Sequence, residues 1–304
     1  MTMFDILGIG CATVDEFLRV DVFPTPDTKQ EVLGEDRQGG GLIPTALVAA
    51  TRLGRHCAYF DMLGTDDLSR WVIDDLAREG LDVSPILIRP NARPIHAVII
   101  VTLDGSRTIL YNTTGRVMTD GDVLPDDAIR NARLLMLDDV NGGALDGLAR
   151  AAAGARRAGI PVVADFERPA YRPLLDEIDH LIVSAHWASA ATGLDSPQEA
   201  VKALWTARRA AVVVTCGSDG AWSMDAHTPP THHPAYSVSV VDTTGCGDVF
   251  HGAYAVGVLE GLPLRERIRL AAATAALKAT QLGGRPGTPT RAQVNEFLRA
   301  RGEA

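Results

Sequence analysis

The sequence is poor in the features that staple small or secreted proteins. Its four cysteines, Cys11, Cys57, Cys216 and Cys246, are scattered over 304 residues and form no C-x-x-C pair. That spacing argues against a structural zinc site or a disulfide framework and suits a reducing compartment. Long hydrophobic runs are also missing. The uncharged stretches, such as residues 38–51 and 181–194, fall short of the roughly 18 apolar residues that a membrane span needs. The opening MTMFDILGIG carries Asp5 within its apolar run and no basic flank, so it does not read as a signal peptide. A cytoplasmic setting is expected. Positive charge is in deficit, with a net charge of -9, which makes nucleic acid and anionic membranes poor general partners. Internal repeats and low-complexity tails are absent.

What is present is the material of an ordinary globular core, 46% hydrophobic and 22% charged residues. Length alone allows one large α/β domain or two smaller ones. FDILGIG at 4–10 reads as a buried strand. Residues 42–53 carry Ile43, Ala46, Leu47 and Ala50 at helical spacing, tolerate Pro44 in a first turn and close at Gly54. Strand-like CAYFDML at 57–63 precedes an amphipathic segment from Asp67 to Glu79. IHAVIIVTL and RTILYN flank Asp104-Gly105-Ser106, which predicts a β-hairpin over 96–112. Strand and helix then alternate: strands at 134–137, 161–166, 180–184 and 211–215, helices at 144–158, 198–209, 247–260, 264–281 and 290–300. Residues 225–237, rich in Pro and His, read as a surface loop. Repeated strand and helix with short connections implies a parallel sheet covered on both faces.

The chemistry concentrates in VVDTTGCGDVFHGAYAVGVLEG, residues 240–261. Gly245 and Gly247 permit a tight turn and close approach to a ligand. A helix beginning there presents unpaired N–H groups and partial positive charge, which suits a phosphate. Asp248 would repel such a guest unless it takes a proton from an incoming hydroxyl. The loop would then supply a base and an anion hole for phosphoryl transfer. A capped turn explains the same residues, since Asp is a favoured N-cap. Cys246 could be a dipole-activated thiol nucleophile, but no Cys-His-Asn arrangement is legible. His251, one turn on, reads as a surface or packing histidine.

With these residues in place, the chain resembles the ribokinase-like sugar kinases, the PfkB family, from residue 4 to about 300. DTTGCGD at 242–248 matches the family's C-terminal signature. QGGGLIPTALVAATRLG at 38–54 resembles its glycine-pair motif. TCGSDG at 215–220 is similar to its nucleotide-binding turn, and ALKATQLGGRPGTPT also fits. The resemblance implies an α/β fold, a three-layer α/β/α sandwich with a mostly parallel central sheet and a small β-sheet lid. The whole of 1–304 would be one kinase domain, with lid segments at about 12–39 and 92–115. It implies an ATP-dependent carbohydrate kinase acting on a hydroxyl of a small sugar, the primary hydroxymethyl being the expected one.

Residue by residue, the resemblance makes Asp248 the catalytic base and the backbone of Gly245, Cys246 and Gly247 the anion hole. Asp15, Gly40, Gly41, Thr45 and Asp139 would contact the sugar. Thr215, Gly217, Gly220, Lys278 and Gly283 would serve the nucleotide, Lys278 being equally readable as a surface lysine. Asp242 and Thr244 match positions that hold a monovalent cation such as K⁺ in several members. Mg²⁺ would accompany ATP, and a homodimer through the lid is implied by its open strand edges. There are departures. SAHWASA at 184–190 stands where many members carry Asn-x-x-Glu; Ser184 takes the Asn position and the Glu has no counterpart. Thr45 replaces the Asn common in ribose-specific members, and Leu42 a Lys. A nucleoside or polyol kinase of the same fold, and a sugar-binding regulator without catalysis, are the rival readings. A nucleoside would need an aromatic platform, for which Tyr111 is the lid candidate.

Overall fold

A computed structural model describes residues 3–116, 118–122, 124–140 and 143–303. Its main sheet has eight strands in the order Thr231–His233, Ala221–Asp225, Ala211–Thr215, His180–Ser184, Val162–Asp165, Leu135–Asp138, Ile6–Ile9 and Cys57–Phe60. The six strands from Ala211–Thr215 to Cys57–Phe60 are parallel; the other two join antiparallel. The strands ILGI, CAYF, LMLD and VVAD are buried at every position. Continuous apolar runs of this kind are what a sheet covered on both faces requires. Side chains alternate between two cores: Ile6, Leu47 and Tyr254 on one face, Leu7, Leu148 and Trp187 on the other.

Two elements differ from the sequence reading. The helix expected over 198–209 spans Pro197–Leu204; Ser196 caps its start and Trp205 turns extended at its end. The segment 225–237 is not all loop. Thr231–His233 forms an edge strand on Ala221–Asp225, and Ser223 Oγ meets His233 Nε2 at 2.8 Å. No apolar alternation announces that edge, because THH has one face in solvent.

The expected hairpin is present as Ile95–Thr102 and Arg107–Asn112, but it is not an isolated appendage. Thr13–Val20 and Gly34–Gly40 complete a separate four-stranded sheet in the order Gly34–Gly40, Thr13–Val20, Ile95–Thr102, Arg107–Asn112. The pair Thr13–Val20 with Ile95–Thr102 is parallel and the outer pairs are antiparallel. Its root is tied down by Asp61, which is 0% exposed. That carboxylate accepts from the Ala12 N–H, the Tyr59 hydroxyl and both terminal nitrogens of Arg116, at 3.0–3.3 Å. Two of the chain's four passages between the sheets, at Ala12 and at Arg116, are thus gathered on one buried carboxylate.

Helices Leu42–Arg52 and Cys246–Leu259 lie against each other. A Cβ added at Gly252 would fall 2.1 Å from the carbonyl oxygen of Ala46. Each contact point lies four to six residues from its helix start, about 9 Å along the axis or less. Both N-termini therefore open side by side at the carboxyl end of the parallel strands. Among the described residues no helix is long and apolar enough to cross a membrane. Gly252→Ala must push the two helices apart. It is expected to lower stability by about 1–3 kcal/mol, as overpacking does, read as an earlier urea midpoint. An unchanged midpoint would show that the helices are not locked here.

Candidate active site

Gly245 has φ 74°, and a Cβ there would meet the Gly284 carbonyl at 2.8 Å. Only glycine fits such a left-handed, crowded corner. The chain then enters its helix, whose ladder begins with Val249 N–H donating to Gly245 O at 2.9 Å. The Cys246 N–H folds back to Thr243 O at 3.2 Å. Among the described residues the N–H groups of Gly245, Gly247 and Asp248 have no backbone partner, the condition in which a helix start can receive an anion. The expected trio is thus corrected at one position, Cys246 giving way to Asp248. The Cys246 thiol donates toward Ala275 O at 3.6 Å, and burial raises its pKa. A protonated, occupied thiol is not an activated nucleophile.

Burial, with Asp165 nearby, pushes the Asp248 carboxyl up to about 8. It belongs to a carboxylate group at the strand ends. Burial raises Asp165 well above its ordinary value, Asp138 to about 7 and Asp139 to about 6. Against them stands His251, 4% exposed, whose ring the sequence reading left to packing. Its Nδ1 lies 2.8 Å from Gly247 O and 3.5 Å from an Asp165 oxygen, and its Nε2 3.0 Å from Ile182 O.

On the other side of Asp248 lies the glycine pair. Gly41 has φ 96°, and a Cβ would sit 2.1 Å from Cys11 O. A Cβ on Gly40 would strike the Asp15 carboxylate at 2.4 Å. Bare backbone at 40–41 thus leaves room for Asp15, which takes a hydrogen bond from Thr13 Oγ1 at 3.0 Å and is raised by burial. Two expected sugar contacts are placed differently. Thr45 is 1% exposed and faces Arg285 Nε at 3.4 Å. Asp139, also 1% exposed, accepts from the N–H groups of Glu167 and Arg168 at 2.8 and 3.0 Å. Both support the wall rather than present themselves to it. Arg285, unremarked in the sequence, joins the parts: it pairs with Asp75 at 2.8 Å and donates to Gly40 O at 2.6 Å. Its charge acts on both Asp15 and Asp248.

Beyond Gly247 opens a cavity of about 580 Å³ whose lining includes Thr215, Gly217, Gly220 and Cys246. Ala272, Ala275, Ala276 and Ala279 form a flat wall that the reading missed, although the run AAATAA was its signal. Lys278 and Gly283 do not line it. Lys278 is fully buried, not a surface residue, and its ammonium donates to Asp242 O at 2.9 Å. Gly283 N–H donates to Asp242 Oδ2 and Thr244 N–H to Oδ1, both at 2.8 Å. Burial opposes ionisation of Asp242, but these donations hold its pKa low. The proposed cation oxygens are therefore already occupied in part. Ser184 Oγ caps a helix by accepting from Trp187 N–H. Trp187, at the place of the missing Glu, is buried and donates to Arg168 O at 2.6 Å. Among the described residues no group of three or more His, Cys, Asp or Glu is arranged to hold a metal.

Comparison with known proteins gives the same frame. A ribokinase of Arabidopsis thaliana is 28% identical over 97% of this chain and 81% of its own length. Fructokinase-1 of Zea mays is 27% identical over 85% of this chain and 88% of its own. The solved structure of Arabidopsis thaliana ribokinase complexed with ribose and ATP superposes with a TM-score of 0.86 and 24% identity. That superposition covers 98% of this chain and 99% of the other. The model of the pfkB family carbohydrate kinases matches residues 4–291. The chain belongs to that family.

Proposed function

We propose that the protein transfers the γ-phosphoryl group of ATP to a hydroxymethyl group of a small sugar. The observation that carries this reading is the position of Asp248. It stands at a helix mouth with free N–H groups, a cavity of nucleotide size on one side and Asp15 with the bare Gly40–Gly41 backbone on the other. Asp248 takes the hydroxyl proton, the sugar oxygen bonds to phosphorus, and the bond to the β-phosphate oxygen breaks to release ADP. The amides of Gly245, Gly247 and Asp248 hold the oxygens on which negative charge gathers. Asp15 accepts hydrogen bonds from sugar hydroxyls. The alanine wall receives the adenine ring, which is consistent with the ATP seen in the Arabidopsis enzyme. Mg²⁺ would accompany the nucleotide, with phosphate oxygens and water as most of its ligands, and would neutralise charge on the phosphates. A K⁺ ion would share the Asp242 carbonyl with Lys278, so closing the loop is the role the bonds support best.

The four-stranded sheet is the lid. In its register Asp15 pairs with Ala97, and Ala97 with Tyr111, so these side chains share the inner face with Phe17, Ile99 and Ile109. Closing it excludes water, the competing acceptor. The outer face carries Leu18, Val98, Ile100 and Leu110, an apolar surface that a second copy would cover. A cytoplasmic location, where ATP is abundant, follows from this reading.

Asp248→Asn is expected to cut sugar-dependent ADP release by about 10²- to 10⁴-fold while ATP still binds. Cys246→Ala should remain active; the reverse pattern would replace the kinase reading by a thiol mechanism. Since the base must be ionised, kcat/KM should fall about tenfold per pH unit below about 8, and a flat profile from 6 to 9 would remove Asp248 from the role. Sedimentation at micromolar concentration should show a dimer that Leu110→Glu dissociates. A monomeric native protein would refute the lid interface.

A further inference from the structure

We propose that His251 is a doubly protonated positioning residue that lends its charge to Asp248. The geometry leaves little choice of tautomer. Gly247 O at 2.8 Å and Ile182 O at 3.0 Å are backbone carbonyls, which only accept, and they face different ring nitrogens. A neutral imidazole has one N–H and would set a lone pair against one carbonyl. Two protons satisfy both, and the Asp165 carboxylate 3.5 Å from Nδ1 supplies the counter-charge. The ring is 4% exposed, so water does not substitute for either bond.

The consequence falls on Asp248, three residues earlier on the same helix and so on a neighbouring position of its surface. Around it stand Asp165 on the adjoining strand, Glu167 beyond that strand's end, and Arg285. The two carboxylates among these three oppose a second buried anion. The imidazolium is the cation set among them by the helix itself. It also ties the Gly247 carbonyl to the strand His180–Ser184, fixing the peptide whose neighbours bind the phosphoryl oxygens. Burial drives the Asp248 carboxyl upward, and the charge of His251 limits that rise.

This inference rests on Asp248 being the base, and its test separates the two. In ¹⁵N spectra of the native protein both ring nitrogens of His251 should show protonated shifts at pH 7–8; one unprotonated nitrogen overturns the proposal, whatever the kinetics. In His251→Gln the acidic limb of kcat/KM should move up by about one to two pH units, with turnover recovering to within about threefold on the alkaline side. Activity lost equally at every pH, or a limb that stays in place, would reduce His251 to a packing role and leave the kinase reading intact. Loss of the limb in the native protein would instead strike Asp248.

Discussion

Everything in the cleft depends on two helix starts being held level with each other. Helix Leu42–Arg52 brings Gly40 and Gly41, and helix Cys246–Leu259 brings Gly245, Gly247 and Asp248. The distance between them is set by main chain touching main chain, Gly252 on the carbonyl of Ala46. Side chains at that point would adapt by changing rotamer; backbone does not. The active-site gap is therefore as rigid as the core behind it. Arg285 completes the brace from above, because its guanidinium binds the backbone of Gly40 and the carboxylate of Asp75 together.

Rigidity allows the site to hold charges that would otherwise push it open. Four carboxylates gather at the ends of neighbouring strands, and burial raises each of them. They are not equivalent. Asp138 and Asp139 spend their oxygens on backbone N–H groups of Cys11, Val140, Glu167 and Arg168, and so act as clamps between strands. Among the described residues Asp248 makes no such bond, so separate environments distinguish chemically identical groups.

How much of this was legible depended on the kind of signal. The parallel strands announced themselves as short apolar runs, because both sheet faces are covered. The strand Gly34–Gly40, GEDRQGG, could not, since its pattern is exposed charge followed by glycine. The loop 242–248 was legible because its glycines and aspartates act locally, within one turn of chain. Arg285, His251 and Trp187 were not, because their partners lie far away in sequence: Gly40 is 245 residues from Arg285 and Ile182 is 69 from His251. Lys278 shows the same limit in reverse. Its sequence position suggested a surface or nucleotide role, and only folding reveals that its ammonium serves the carbonyl of Asp242.

Trp187 applies the same economy of charge beside the strand ends. A glutamate there would add another anion to a region already crowded with them. The indole instead packs on Phe166, at 5.5 Å between ring centroids, and its N–H holds Arg168 O. That carbonyl belongs to the segment whose N–H groups Asp139 already grips, so residues 166–168 are fixed from both sides. The chain at 166–168, beside the clustered carboxylates, is thus stiffened by a neutral side chain rather than by a charged one. A phosphate entering the cleft would meet the helix N-terminus and Arg285 rather than a further carboxylate.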